Sequence, residues 1–81
     1  MSEIIIEELR KKLLDAIRAH MEANNIGQAE VAEKTGFVQS NISRMLAGKF
    51  PPTLDNLLVL CQAVGLRLEV RSILYKQSEE D

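Results

Sequence analysis

The chain has 81 residues, 46% of them hydrophobic and 27% charged, a composition typical of one small folded domain. A single cysteine excludes an internal disulfide, and the apolar runs are too short for a membrane helix. No signal peptide opens the chain, so we expect a cytoplasmic protein. The net charge of −2 argues mildly against nucleic-acid binding, but residues 25–50 contain three basic residues and two acidic ones. A local phosphate-binding face is therefore compatible with the composition.

The first predicted helix is amphipathic and has apolar residues at helical spacing, Leu9, Leu13, Ile17 and Met21. Residues 1–8 are expected to extend this helix at its N-terminal end. Within them, Ile4–Ile6 is compatible either with the first helical turn or with a short β segment. The sequence Asn24-Asn25-Ile26-Gly27 ends the helix, and Gly27 suits a left-handed or tight turn.

Two short helices follow, over residues 28–35 and 39–47. Gly36 and Gly48 lie directly after them, where glycine often ends a helix in the left-handed conformation. Pro51-Pro52 excludes helix in the next segment. Thr53 then predicts an N-cap for a fourth helix that ends at Gly65. Its predicted apolar face consists of Leu54, Leu57, Leu58, Cys61 and Val64. On that face Cys61 is expected to be a buried structural thiol.

The segment after Gly65 alternates apolar and charged residues, which is the period of a half-buried β-strand. Its apolar side consists of Leu66, Leu68 and Val70. A single strand needs a partner, which could be the Ile4–Ile6 segment, the same strand of a second copy, or another protein. Self-pairing across a two-fold axis also brings arginine opposite glutamate. We therefore expect residues 66–75 to form a dimerisation strand and residues 76–81 to be a flexible acidic tail.

Residues 28–46 have the pattern of a helix-turn-helix. Ala32 is small enough to lie where two helices cross, and Gly36, four residues later, tolerates the turn between them. At 100° per residue, the second helix presents one polar face, Gln39, Ser40, Ser43, Arg44 and Ala47. Its other face is apolar, namely Val38, Ile42, Met45 and Leu46. A solvated helical hairpin also has polar residues outside, but the joint placement of Ala32, Gly36 and Ile42 favours the DNA-reading motif.

Several short sequences together resemble the phage-repressor/Cro-like (XRE-type) helix-turn-helix family, namely Ile26-Gly27-Gln28-Ala29-Glu30-Val31-Ala32, Gly36, Gln39-Ser40-Asn41-Ile42-Ser43-Arg44-Met45-Leu46, Gly48-Lys49 and Pro52-Thr53-Leu54. The resemblance covers residues 9–65 and implies a mainly α-helical, repressor-like bundle of four or five helices. Gly27 departs from it, because the family often has serine or threonine at that cap position.

The resemblance also implies the roles of individual residues. Three positions match those that read bases, Gln39, Ser40 and Arg44, and Ser43 lies between them on the same face. Three others match phosphate contacts, Gln28, Asn41 and Lys49. Glutamine can pair with adenine and arginine with guanine in the major groove, so these residue types suit the task.

The sequence thus predicts a transcriptional regulator, most simply a repressor, that reads a palindromic operator in double-stranded DNA as a homodimer. The alternative is an antitoxin that binds a toxin protein and also its own operator. An interaction module without DNA affinity is a third hypothesis, in keeping with the negative net charge. No nucleophile with its base, metal cluster or nucleotide loop is recognisable, so we expect no enzyme activity, cofactor or small-molecule ligand.

Overall fold

The computed structural model describes residues 3–69, which fold into four helices around one aliphatic core. Helix α1 spans Glu3–Ala23, α2 spans Gln28–Thr35, α3 spans Gln39–Leu46 and α4 spans Leu54–Val64. The predicted helical fold is therefore confirmed over this part of the chain. None of these helices is long and apolar enough to cross a membrane.

The N-terminal segment Ile4–Ile6 lies in the first turns of α1. The helical alternative for this segment is therefore correct, and the β alternative is wrong. Since these residues have helical backbone, they do not form an extended edge that could pair with the predicted C-terminal strand. One of the three partners considered for that strand is thereby removed.

In the turn after α1, the left-handed alternative for Gly27 is wrong, because another residue takes that conformation. Asn25, with φ of 57°, takes the left-handed conformation, whereas Gly27 is extended at φ of −92°. The amide of Ile26 donates to the carbonyl of Met21 at 2.8 Å, and the Ile26 side chain packs against the core. This arrangement places the left-handed residue directly before the apolar one, and asparagine tolerates that conformation better than most residues.

The core is formed by aliphatic side chains from all four helices, with Ile17, Val31, Ile42 and Leu60 fully buried. Part of the predicted apolar faces lies outside it, because Leu9, Leu54 and Leu58 are 60%, 66% and 44% exposed. The buried face of α1 instead includes Leu14, and that of α4 includes Leu60. Both helices carry apolar residues on two adjacent faces, and packing against α2 and α3 decides which face is covered.

The predicted strand begins within the described residues and continues beyond them. Leu66 packs against the core, and its amide donates to the carbonyl of Cys61 at 2.8 Å, closing the end of α4. Over residues 66–69 the backbone has no strand partner in the described part of the chain. Val70 and the rest of the predicted segments 66–75 and 76–81 lie outside the described residues.

Candidate nucleic-acid interface

The turn between α2 and α3 is held by backbone and side-chain hydrogen bonds. Gly36 is left-handed at φ of 80°, as predicted, and its amide donates to the carbonyl of Ala32 at 2.9 Å. The hydroxyl of Thr35 donates to the carbonyl of Val31 at 2.8 Å and accepts the amide of Phe37 at 3.0 Å. Thr35 was missed in the sequence, although threonine directly before a terminating glycine is a recognisable signal for such local bonds. The turn therefore fixes the direction in which α3 leaves α2.

Helix α3 is anchored by its apolar face. Ile42 is fully buried, and Met45 and Leu46 are 2% and 4% exposed. The side chains predicted to face DNA are all exposed on the outside of the helix, namely Gln39, Ser40, Asn41, Ser43 and Arg44. A helix fixed on one side and polar on the other presents these groups in a set orientation, which hydrogen-bond readout of base edges requires.

Val38 does not lie on the buried face, where the helical periodicity placed it. It is the N-cap of α3, with an extended backbone, and its side chain is 62% exposed. The 100° rotation per residue applies only within the helix, and α3 begins one residue later, at Gln39. An apolar side chain is thereby presented beside the polar set at the leading end of α3.

The C-terminal end of α3 is held by hydrogen bonds to the loop that follows it and to α1. The amide of Lys49 donates to the carbonyl of Arg44 at 3.1 Å, and Gly48 is left-handed at φ of 78°. From α1, the guanidinium of Arg18 donates to the carbonyl of Leu46 and also binds Asp15. A cation at the C-terminal end of a helix is favoured by the helix dipole. Lys49 and Arg44 are therefore held in a defined relation to each other.

The start of α2 is open to an anion. Gly27 is its N-cap, as predicted, and provides no side-chain acceptor for the first amides of the helix. Gln28 is half-buried and lines a cleft that also contains Ser43 of α3 and two residues of opposite charge from α1, Arg18 and Glu22. Amides at a helix start carry a partial positive charge that favours phosphate. The predicted phosphate residue Gln28 is thus beside the predicted base-reading face.

The charge on this surface is positive but small. Lys34 is 3.3 Å from Glu30 along α2, so its charge is offset. Neither Arg44 nor Lys49 forms an ion pair within residues 3–69, and α3 contains no acidic residue. Both cations are exposed.

Two short helices joined by a left-handed glycine, with a buried wedge and a polar outer face, define a helix-turn-helix DNA-binding protein. The chain belongs to the helix-turn-helix domain family, whose model matches residues 3–73. The predicted membership of a helix-turn-helix DNA-binding family is thereby confirmed, and with it the class of DNA-binding transcriptional regulators. Neither the comparison with curated proteins nor that with solved structures found a match.

Proposed function

We propose that this protein is a transcriptional repressor that reads a palindromic operator in the major groove as a homodimer. The observation that carries the proposal is the exposed set Gln39, Ser40, Ser43 and Arg44 on a helix whose other side is buried. Binding of such a helix over a promoter would block it without any further domain.

Each member of the set has a defined task in this proposal. Arg44 donates two hydrogen bonds to guanine, and Gln39 pairs with adenine through its amide. Ser40 and Ser43 have hydroxyls that donate or accept, so they adapt to the remaining base edges. Val38 lies at the leading end of the same helix, where its exposed side chain can contact a thymine methyl group.

Phosphate contacts orient the helix in the groove. Gln28 acts at the start of α2, where uncapped amides assist it. Asn41 lies at the border of the outer face of α3, and Lys49 lies in the loop that follows. Because one copy makes few phosphate contacts, the salt-dependent part of its binding free energy is small. A second copy doubles the number of these contacts.

The homodimer is proposed to include pairing of the segment that contains Leu66, Leu68 and Val70 with its copy across a two-fold axis. Leu68 is 41% exposed. Because Ile4–Ile6 is helical, the segment that contains Leu68 cannot pair with it as a strand. Two-fold symmetry sets the two α3 helices about one turn of DNA apart, which matches a palindromic site.

Selection of bound duplexes from a random library tests this proposal. The expected product is a two-fold symmetric site whose half-sites are about 10 base pairs apart, centre to centre. A selected site with a single unrepeated half would contradict the dimer. No enrichment at low salt, where phosphate contacts are strongest, would contradict DNA reading itself.

A second candidate is an antitoxin that binds a toxin protein and its own operator. It is supported by the exposed Leu68 in a segment without a strand partner among the described residues, since such a segment can add to the sheet edge of another protein. Purification of the chain with the products of neighbouring genes would distinguish the two. A stoichiometric complex that involves residues 66–75 favours the antitoxin, and its absence favours the repressor.

A further inference from the structure

An apolar surface on α1 and α4 has no function in DNA reading. A groove between the two helices is lined by Arg10 and by six apolar residues, Ile6, Leu9, Leu13, Pro52, Leu54 and Leu57. Ile6, Leu9 and Leu54 are 43%, 60% and 66% exposed, and Leu58, one turn after Leu54, is 44% exposed. We call Ile6, Leu9, Leu13, Leu54 and Leu58 the leucine face.

The two helices run in the same direction along this surface. Leu54, at the start of α4, shares the groove with Leu9. Gly65, after the end of α4, lies near His20, because a Cβ added to this glycine would be 3.9 Å from the His20 Nε2. Leu9 and Leu13 are one turn apart on α1, and Leu54 and Leu58 are one turn apart on α4. The leucine face is therefore a two-helix strip two turns long.

The leucine face is remote from the predicted DNA contacts. Leu9 and Arg18 are nine residues apart on one helix, so at 100° per residue they lie on opposite sides of α1. Arg18 is the residue that contacts the end of α3. A molecule bound to the leucine face therefore leaves α3 accessible to DNA.

The size of the strip matches what a small dimer requires. Four large side chains about half exposed give an apolar patch of roughly 400 Å², at the level where patches on monomers are usually functional. A two-fold contact covers this patch on both copies together with its rim, which amounts to about 1,000 Å² in total. That area is at the lower limit of a specific interface.

We propose that the leucine face binds the leucine face of a second copy. Such a contact opposes a surface to itself, so it requires an uncharged centre and a rim with both signs of charge. The leucine side chains are aliphatic, and charges of both signs adjoin them: Arg10 lines the groove, and the exposed Glu8, Lys12 and Asp55 are next to Leu9, Leu13 and Leu54 in the chain. The inference rests on the proposed homodimer, whose interface would then include packing of α1 and α4 as well as strand pairing.

Sedimentation of the full chain without DNA tests the inference. The test variant is Leu9→Glu with Leu54→Glu, which puts like charges into both halves of the proposed contact. Because both positions are more than half exposed, the protomer should still fold, and its melting curve by circular dichroism should change little at concentrations where the wild type is also monomeric. The matched control is Val38→Glu, an equally exposed apolar residue on the DNA side. We expect a wild-type dimer, a control that also dimerises, and a double variant whose dissociation constant rises at least 100-fold.

Other results contradict the inference in distinguishable ways. A double variant that dimerises like the wild type places the interface elsewhere and leaves the proposed homodimer intact. A wild-type chain that is monomeric at about 100 µM overturns both. In that case the binding of a hydrophobic dye identifies what covers the leucine face. Dye bound by the wild type indicates a face left for another protein. Dye bound only by the double variant Ile73→Glu with Leu74→Glu indicates that the C-terminal segment covers the face. A stable dimer without duplex affinity overturns DNA reading alone.

Discussion

The backbone amide of Lys49 donates to the carbonyl of Arg44 at 3.1 Å. The bond joins the loop that carries a predicted phosphate contact to the helix that carries a predicted guanine contact. The amide of Gly48 completes the turn with a bond to Met45, also at 3.1 Å, and this pair of bonds depends on the left-handed conformation of Gly48. The position of Lys49 relative to α3 is thus set by backbone geometry and not by its flexible side chain.

Gly48→Ala should weaken both folding and duplex binding. An added Cβ meets no atom within 4 Å, but φ of 78° costs a residue other than glycine about 1–2 kcal/mol. Part of this strain can be relieved by moving Lys49, so the variant should also lose about 1 kcal/mol of binding free energy. Gly65→Ala is the matched control, with a similar φ of 80° in a turn away from α3, and its affinity is compared at a concentration where sedimentation shows the same oligomeric state as the wild type. It should lose similar stability in chemical denaturation and keep its DNA affinity, and equal losses of affinity would contradict the role of the Gly48 turn.

Substitutions of Gly27 separate helix capping from phosphate binding. Its backbone, at φ of −92° and ψ of 165°, suits an N-cap side chain, and no atom obstructs one. Gly27→Ser and Gly27→Asp should each raise the free energy of unfolding by about 0.5–1 kcal/mol. Only the aspartate should weaken duplex binding, because its charge repels the phosphate expected at the start of α2. If both variants bind DNA alike in a titration at low salt, no phosphate approaches this helix end.

Arg18→Met should loosen the end of α3. It removes the hydrogen bond to the carbonyl of Leu46 while keeping most of the aliphatic side chain. Because the Arg18 side chain is 45% exposed, water moderates the loss, which we expect to be about 1 kcal/mol. Lys11→Ala is the control, since Lys11 makes only a 3.9 Å exposed pair with the same Asp15. Its stability should change by less than about 0.5 kcal/mol in urea unfolding, and an equal effect of the two variants would contradict the role of the Leu46 bond.

Burial raises the pKa of the Cys61 thiol. In the unfolded chain the thiol ionises at lower pH than in the folded one, so the free energy of unfolding should fall as the pH rises above about 8.5. Cys61→Ala should lack this part of the slope, although its cavity lowers stability at every pH. At pH 8 a thiol reagent should modify the folded protein only as fast as it opens, and rapid modification without denaturant would show that Cys61 is accessible.

The local signals in the sequence were sufficient for most of the fold. Helix boundaries were predicted from residues whose backbone conformations few residue types adopt, namely Gly36, Gly48, Pro51-Pro52 and the N-cap Thr53. The Thr53 hydroxyl accepts the amide of Asn56 at 3.1 Å, as an N-cap should. Such features depend on neighbours within a few residues, which is why they can be predicted from the sequence.

The errors arose where the outcome depends on distant packing. Leu9 and Leu14 are both apolar residues of α1, and only contact with other helices determines that Leu14 is buried. Periodicity also could not show that α3 begins after Val38, because the extended backbone of that residue is set by the turn from α2. The bond from Arg18 to Leu46 joins residues 28 apart and has no local signal.

The most direct test of DNA reading compares Arg44→Ala with Lys49→Ala on the selected operator and on single-base variants of it. We expect Arg44→Ala to lose about 1–3 kcal/mol on the operator and to stop discriminating at one base pair per half-site. Lys49→Ala should weaken all sequences alike and reduce the salt dependence by about one phosphate contact per copy. If Arg44→Ala binds the operator and its variants as the wild type does, α3 does not read the bases.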